Sequence, residues 1–159
     1  MYLVAKISQA KGENIVGRIG GNIPQYFIDK EDDIRGYNFY VSFQNPQKPE
    51  EYITVLVPQS YDIMIDCNIY PNCSIKVFTH PFSEESDNVE YTIKHIRKSN
   101  IVGYENSNKP QYLTFSEYPI LIQEEDFYIK GLNKDNYIFF MQIDEDYYPD
   151  DLIDGNYIF

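Results

Sequence analysis

The residues with the clearest chemical potential are carboxylates that crowd the C-terminal end of the chain. Six of them fall within eleven positions: Asp144, Glu145, Asp146, Asp150, Asp151 and Asp154. Several carboxylate oxygens on one flexible loop can bind calcium, and a carboxylate pair in a cleft can transfer protons. The spacing excludes an EF-hand, because its fifth, sixth and twelfth positions would be Tyr148, Pro149 and Gly155. A solvated acidic loop between two strands is a further interpretation.

Two tyrosines within this acidic run favour a protein-binding surface. Tyrosine offers a large contact area at low entropic cost and is enriched in interfaces. Acidic charge would attract a basic protein, which the rings would then anchor. We therefore expect a basic protein to contact Asp144, Asp146, Tyr147, Tyr148, Asp150 and Asp151. The alternative is that the rings pack along strands and keep only their hydroxyls at the rim.

The charge of the whole chain points the same way. The net charge is −12, from 25 acidic and 13 basic residues. Residues 1–116 hold 14 acids and 11 bases, whereas residues 117–159 hold 11 acids and only Lys130 and Lys134. Such a chain repels phosphate backbones and anionic membrane surfaces, so we expect neither nucleic acid nor a membrane as partner. High solubility is the simplest consequence of the charge.

Other chemically active residue types are few and scattered. Cys67 and Cys73 flank a turn, but a zinc site would need two more ligands, and His80 and His95 lie far apart in sequence. A cysteine nucleophile would need a cationic surround that the chain lacks. We read His80 as a packed or exposed turn histidine, and the sequence predicts no catalytic residue. Whether the protein is an enzyme stays open, with the balance against it.

No cofactor is expected, because the Gly17-x-x-Gly20-Gly21 stretch lacks the Lys-Ser/Thr pair of a phosphate loop. The chain start has no basic segment before its short apolar run, and no apolar run approaches the length of a membrane span. These features predict a cytoplasmic protein with free thiols.

Short apolar or alternating runs, broken by Gly, Pro, Asn and Asp, predict a mainly β protein. A short helix near Glu124–Leu132 would make the fold α+β, and Lys98–Pro110 has the composition of a linker. We predict strands near Tyr2–Ile7, Asn14–Ile19, Tyr37–Gln44, Tyr52–Val57, Ile63–Ile69, Ser74–Thr79, Val89–His95, Pro119–Gln123, Tyr137–Ile143 and Asn156–Phe159.

The chain also contains a weak internal echo. Asn22-Ile23-Pro24-Gln25-Tyr26 precedes the aromatic run Tyr37–Gln44, and Asn108-Lys109-Pro110-Gln111-Tyr112 precedes the similar run Tyr137–Asp144. A duplicated β unit is the economical explanation, since two half-buried sheets complete each other's core. We therefore expect one domain over residues 1–159, built as two packed antiparallel sheets from halves near 1–98 and 99–159.

Two segments of the chain resemble a known family. Gly20-Gly21-Asn22-Ile23-Pro24 and the stretch Tyr137–Asp146, which ends in Gln-Ile-Asp and further acids, are similar to motifs of the YwqG-like family, a bacterial domain of unknown function. The resemblance implies a mainly β fold with two related halves and no established activity. Members are usually longer, which implies a short or trimmed member. Some relatives belong to toxin–immunity systems, which implies an immunity role.

Three functions follow as hypotheses. The first is a non-catalytic, immunity-like module that binds a basic protein through its acidic, tyrosine-rich C-terminal surface. The second is a small-ligand-binding or hydrolytic protein with a carboxylate site between the two halves, where ligands often lodge. The third is a calcium-stabilised module. We favour the first, because neither a nucleophile–base pair nor a cofactor fingerprint is present in the sequence.

Overall fold

The computed structural model describes residues 1–9, 14–60, 70–120 and 127–147. Strands make up 43% and helices 13% of the structure, so the mainly β prediction is confirmed. The strands are β1 (Tyr2–Ser8), β2 (Gly17–Ile19), β3 (Tyr37–Asn45), β4 (Lys48–Pro58), β5 (Lys76–His80), β6 (Ser99–Ser107), β7 (Leu113–Phe115) and β8 (Met141–Ile143). The helices are α1 (Glu31–Ile34) and α2 (Phe127–Lys134), with 3-10 turns at Gln25–Phe27 and Glu145–Tyr147.

All eight strands form one curled antiparallel sheet, in the order β5-β4-β3-β2-β6-β1-β7-β8. The prediction of two packed sheets is therefore wrong. The reason is the position of β6, which pairs with β2 on one side and β1 on the other. The later part of the chain thus enters the sheet of the earlier part, and the described strands form no separate second sheet.

The segment with linker composition is in fact a central strand. Within Lys98–Pro110, β6 places Ile101 opposite Gly17 and Ser107 opposite Tyr2. Ser99 and Ile101 are buried. The prediction of a linker is wrong because pairing on both sides outweighs the turn preference of Asn, Ser and Gly.

Strands β1 to β5 were predicted near their observed positions, whereas no strand was predicted at β7. The helix α2 overlaps the predicted Glu124–Leu132. The expected strand Val89–His95 is wrong: it consists of turns with one isolated bridge between Phe39 and Thr92. Only Met141–Ile143 of the predicted Tyr137–Ile143 is a strand. The predicted strands Ile63–Ile69 and Asn156–Phe159 lie outside the described residues. Of the predicted strand Pro119–Gln123, residues 119 and 120 are not in a strand, and residues 121–123 lie outside the described residues.

Apolar side chains pack on both faces of the sheet. On β4, alternate residues point to opposite faces, so Val55 belongs to one apolar cluster and Leu56 to the other. The first cluster lines one face and includes Ile19, Phe43 and Ile101. The second lies under two segments, residues 20–36 and 83–93, which we call the cover. It consists of Ile23, Phe27, Ile34, Phe39, Leu56 and Tyr91.

The two echo segments adopt different structures. Gln25, Tyr26 and Phe27 form a 3-10 turn in the cover, whereas Tyr112 is buried beside the sheet and leads directly into β7. The same short motif therefore occupies two unlike places in the fold.

Candidate functional site

The acidic residues predicted to bind a partner begin where β8 ends. The Asp144 amide donates to the Tyr112 carbonyl over 2.9 Å, which anchors the chain to the residue before β7. Asp144 Oδ1 accepts from the Asp146 amide at 3.1 Å, and its carbonyl accepts from the Tyr147 amide at 3.2 Å. Asp144 therefore acts as the N-terminal cap of the 3-10 turn, as short acidic side chains commonly do. We call residues 144–147 the acidic turn.

The acidic turn presents its charge to solvent. Glu145 and Asp146 are exposed, and the Tyr147 side chain is 42% exposed. Glu145 reaches the Tyr40 hydroxyl at 3.5 Å. Among the described residues, the carboxylates of the turn take part in no ion pair. The turn is thus a negative surface that pairs with no cation in the ranges that the structure describes, and it carries one aromatic ring.

The structure brings half of the predicted partner-binding set together. Asp144, Asp146 and Tyr147 lie in the acidic turn, while Tyr148, Asp150 and Asp151 lie outside the described residues. Within the described part of the chain, no group of three or more His, Cys, Asp or Glu side chains is arranged to hold a metal ion. Calcium binding that involves the later aspartates stays a hypothesis.

A second charged site, which the sequence did not single out, lies under the cover. Arg18 on β2 donates to the Gly20 carbonyl at 2.8 Å and also to the Asn22 carbonyl. Its guanidinium carbon lies 4.3 Å from the centre of the Phe39 ring, a cation–π contact, and its Nη1 is 3.7 Å from Glu85. Burial lowers the pKa of Arg18 to about 10, although Glu85 opposes that shift.

Glu85 connects the two segments of the cover. Its Oε1 accepts from the Asn22 amide at 2.8 Å, and Lys98 forms a close ion pair with its other oxygen. Burial alone would raise the pKa of Glu85, but Lys98, the Asn22 amide and Arg18 outweigh it, and the pKa lies below its ordinary value. Asn22 also donates to the Ser86 carbonyl at 2.9 Å. We call Arg18, Asn22, Glu85 and Lys98 the clasp.

The paired glycines of the sequence motif make room for the clasp. Gly20 and Gly21 have φ values of +64° and +81°, in the left-handed region that favours glycine. A Cβ at Gly21 would lie 2.5 Å from Glu85 Oε1 and 3.1 Å from Arg18 Nη1. The Gly20-Gly21-Asn22 motif is therefore structural here. The available sequence signal was Arg18 itself, a charged residue between the apolar residues Val16 and Ile19.

His80, at the end of β5, is buried, with 4% of its surface exposed. Its Nε2 lies 2.7 Å from Thr54 Oγ1, and its Nδ1 lies 2.6 Å from the Pro81 carbonyl. Thr54 is fully buried and therefore out of reach of a substrate. Cys73 is an exposed free thiol, and Cys67 lies outside the described residues.

The fold is thus a mainly β, single curled sheet with an internally balanced clasp and an exposed acidic turn. No protein-family model matches the chain, and no curated protein or solved structure is similar to it. The resemblance to the YwqG-like family therefore stays a prediction. No helix in the described part of the chain is long and apolar enough to cross a membrane.

Proposed function

We propose that the protein is a non-catalytic, immunity-like binding module that takes a basic protein on its acidic turn. The observation that carries the proposal is the run of three consecutive carboxylates at the turn, Asp144 to Asp146, none of which forms an ion pair with a described residue. Tyr147 follows them directly and is partly exposed. A net charge of −12 adds a long-range field of the same sign.

The geometry supports a firm contact as well as electrostatic steering. Asp144 holds the turn through hydrogen bonds to the Asp146 and Tyr147 amides, so its shape is set before a partner arrives. A pre-formed surface loses less conformational entropy on binding. Tyr147 offers a half-exposed ring beside the charges, which suits an aromatic anchor within a charged surface. The proposal places the protein in the cytoplasm, where a free thiol such as Cys73 persists.

The test is a charge reversal at the turn with a matched control. The variant Glu145→Lys/Asp146→Lys and the control Glu50→Lys/Glu90→Lys change the net charge equally, and all four residues are exposed. Each variant is used as bait in lysate of the source organism and washed at low and high salt, and bound proteins are identified by mass spectrometry. The proposal expects a stoichiometric basic partner that elutes with salt and is lost only with the turn variant.

Two results would contradict the proposal. A partner that is retained by the turn variant would place the contact elsewhere on the surface. Equal loss in both double variants would show that net charge alone attracts the partner. A purified partner then allows the same comparison by calorimetry, in which reversal of the two charges is expected to weaken binding about tenfold or more at low salt.

A further inference from the structure

His80 lies where three parts of the fold meet. It stands on β5, its ring stacks on Tyr26 of the 3-10 turn at 4.6 Å between centres, and Phe27 of the same turn meets it edge-on at 5.6 Å. Tyr52 on β4 lies 6.5 Å away in a near-parallel orientation. The imidazole therefore forms part of the contact that holds the turn Gln25–Phe27 against the sheet.

The imidazole also lies at the end of a row of hydrogen-bonded groups that includes the hydroxyls of Thr54 and Ser42. The only role open to the Pro81 carbonyl is acceptor, so Nδ1 carries a proton whether the ring is neutral or charged. Nε2 faces Thr54 Oγ1 at 2.7 Å, and Thr54 Oγ1 faces Ser42 Oγ at 2.9 Å. When the ring is neutral, it accepts from Thr54, and Ser42 donates to Thr54 Oγ1. When the ring is charged, it donates to Thr54, whose own proton then turns to Ser42. Both charge states keep these hydrogen bonds.

We propose that Ser42, Thr54 and His80 form a reversible relay that lets the folded protein take up a proton, and that this proton loosens the turn Gln25–Phe27 from the sheet. The proposal is independent of the acidic turn. It assigns a pH-dependent opening to one end of the cover, next to the buried ring of Phe27.

The groups around His80 explain why its charge would loosen the turn. Lys30 Nζ lies 4.0 Å from the centre of the Tyr26 ring on which the imidazole stacks, so a charged imidazole would lie near a second cation, and repulsion between the two charges adds to the cost of burying the imidazole. From β4 the ring faces Tyr52, and from β3 it meets only the neutral Ser42 through Thr54. Burial, helped by the charge of Lys30, lowers the pKa of His80, and only the Pro81 carbonyl opposes this shift.

Because the pKa of His80 is lowered in the folded protein, acid should reduce the stability of the fold. The folded protein binds the proton more weakly than the unfolded chain, whose histidine titrates near 6.5. The contribution of His80 to stability is therefore complete above pH 6.5 and is lost as the pH falls through the lower pKa of the folded state. When the turn opens, the charged imidazole regains contact with water, so the cost of burying it is removed without unfolding of the whole sheet.

The relay is tested by NMR titration of the imidazole nitrogens, with Ser42→Ala as the decisive variant. In this variant the neutral ring still accepts from Thr54, but in the charged state the Thr54 proton has no acceptor. We expect the proton to bind His80 about tenfold more weakly, because the neutral form loses only a donor to the Thr54 lone pair, whereas the charged form keeps a buried Thr54 proton that Ser42 no longer accepts. Ser42→Thr restores a hydroxyl and should restore the titration. His95 is the only other histidine and serves as an internal control.

The opening is tested by hydrogen exchange at pH 7.5 and pH 5. The Phe27, Ile28 and Lys30 amides donate within the turn, so their protection factors report on it. We expect protection of these amides to fall about tenfold in acid relative to β3 and β4, and less in Ser42→Ala. His95→Gln should keep the fall in protection. Two results would overturn the proposal: a His80 titration that is unchanged in Ser42→Ala, or an acid-induced fall in protection that is lost in His95→Gln.

Discussion

The clasp and the acidic turn both concentrate charge, but they treat it in opposite ways. In the clasp, Arg18 and Lys98 neutralise Glu85, and backbone groups take the remaining hydrogen bonds. In the acidic turn, Glu145 and Asp146 face solvent without an ion-pair partner among the described residues. Charges that form ion pairs and hydrogen bonds within the fold favour one structure. Charges without such partners stay available to another molecule, so the clasp has a structural role and the acidic turn a binding role.

The largest change in stability is expected when the buried cation of the clasp, Arg18, is removed. Arg18→Met keeps much of the side-chain volume but leaves the Gly20 and Asn22 carbonyls without their donor, removes one of the two cations beside Glu85 and ends the contact with Phe39. We expect a loss of about 3 kcal/mol in the free energy of unfolding, measured by urea denaturation. The control is Arg35→Met, whose ion pairs are largely exposed and are worth no more than about 0.5 kcal/mol. Equal losses in the two variants would show that the clasp has no special role.

A pair of glycine variants separates backbone strain from crowding in the clasp. Gly21 and Gly36 have nearly the same φ, +81° and +82°, but a Cβ meets Glu85 only at Gly21 and meets nothing within 4 Å at Gly36. We expect Gly36→Ala to cost about 1 kcal/mol from strain alone and Gly21→Ala to cost about 2 kcal/mol. Chemical denaturation of both variants measures the difference. A larger loss at Gly36 would contradict the packing seen at Gly21.

Acid should weaken the clasp through Glu85. Because the pKa of Glu85 lies below its ordinary value of 4.5, its contribution to stability is present above that pH and is lost as the pH falls through the folded pKa. Glu85→Gln should lower stability by about 1 kcal/mol at pH 7, a modest figure since solvent partly screens this carboxylate. Below pH 4.5, the melting temperature of the variant should fall less steeply with decreasing pH than that of the wild type. A parallel loss in wild type and variant would argue against this assignment.

The smallest expected effects lie in the acidic turn, where two neighbouring aspartates differ in role. Asp144→Ala removes the oxygen that accepts from the Asp146 amide and should cost about 1 kcal/mol. Asp146→Ala removes an exposed charge and should change stability by less than about 0.5 kcal/mol. Thermal melts of the two variants check this difference. A loss at Asp146 as large as at Asp144 would mean that Asp146 also has a structural role.

Alternation within single strands was readable from the sequence, and the arrangement of strands was not. In β4, Ile53, Val55 and Val57 alternate with polar or differently facing residues, which predicts a strand whatever its neighbours are. In β6, by contrast, Asn, Ser and Gly suggest a loop, and only pairing with β1 and β2 makes the segment a strand. The alternation of apolar and polar residues indicates whether a segment prefers to be a strand. It does not indicate which strand pairs between two others in the sheet.

The candidate sites divide in the same way. The acidic turn was predicted because its residues are adjacent in sequence, from Asp144 to Tyr147. The clasp and the relay were not, because Arg18 and Glu85, or Ser42 and His80, are far apart along the chain and meet only in the folded sheet.

By itself the sequence determined the mainly β class, the uneven negative charge and the exposed acidic residues, since composition and alternation act over short distances. The tertiary structure decided that there is one curled sheet, that β6 lies at its centre, and that Arg18 and His80 are buried among partners. Those outcomes depend on long-range pairing and on desolvation, which have meaning only once distant segments share an interior.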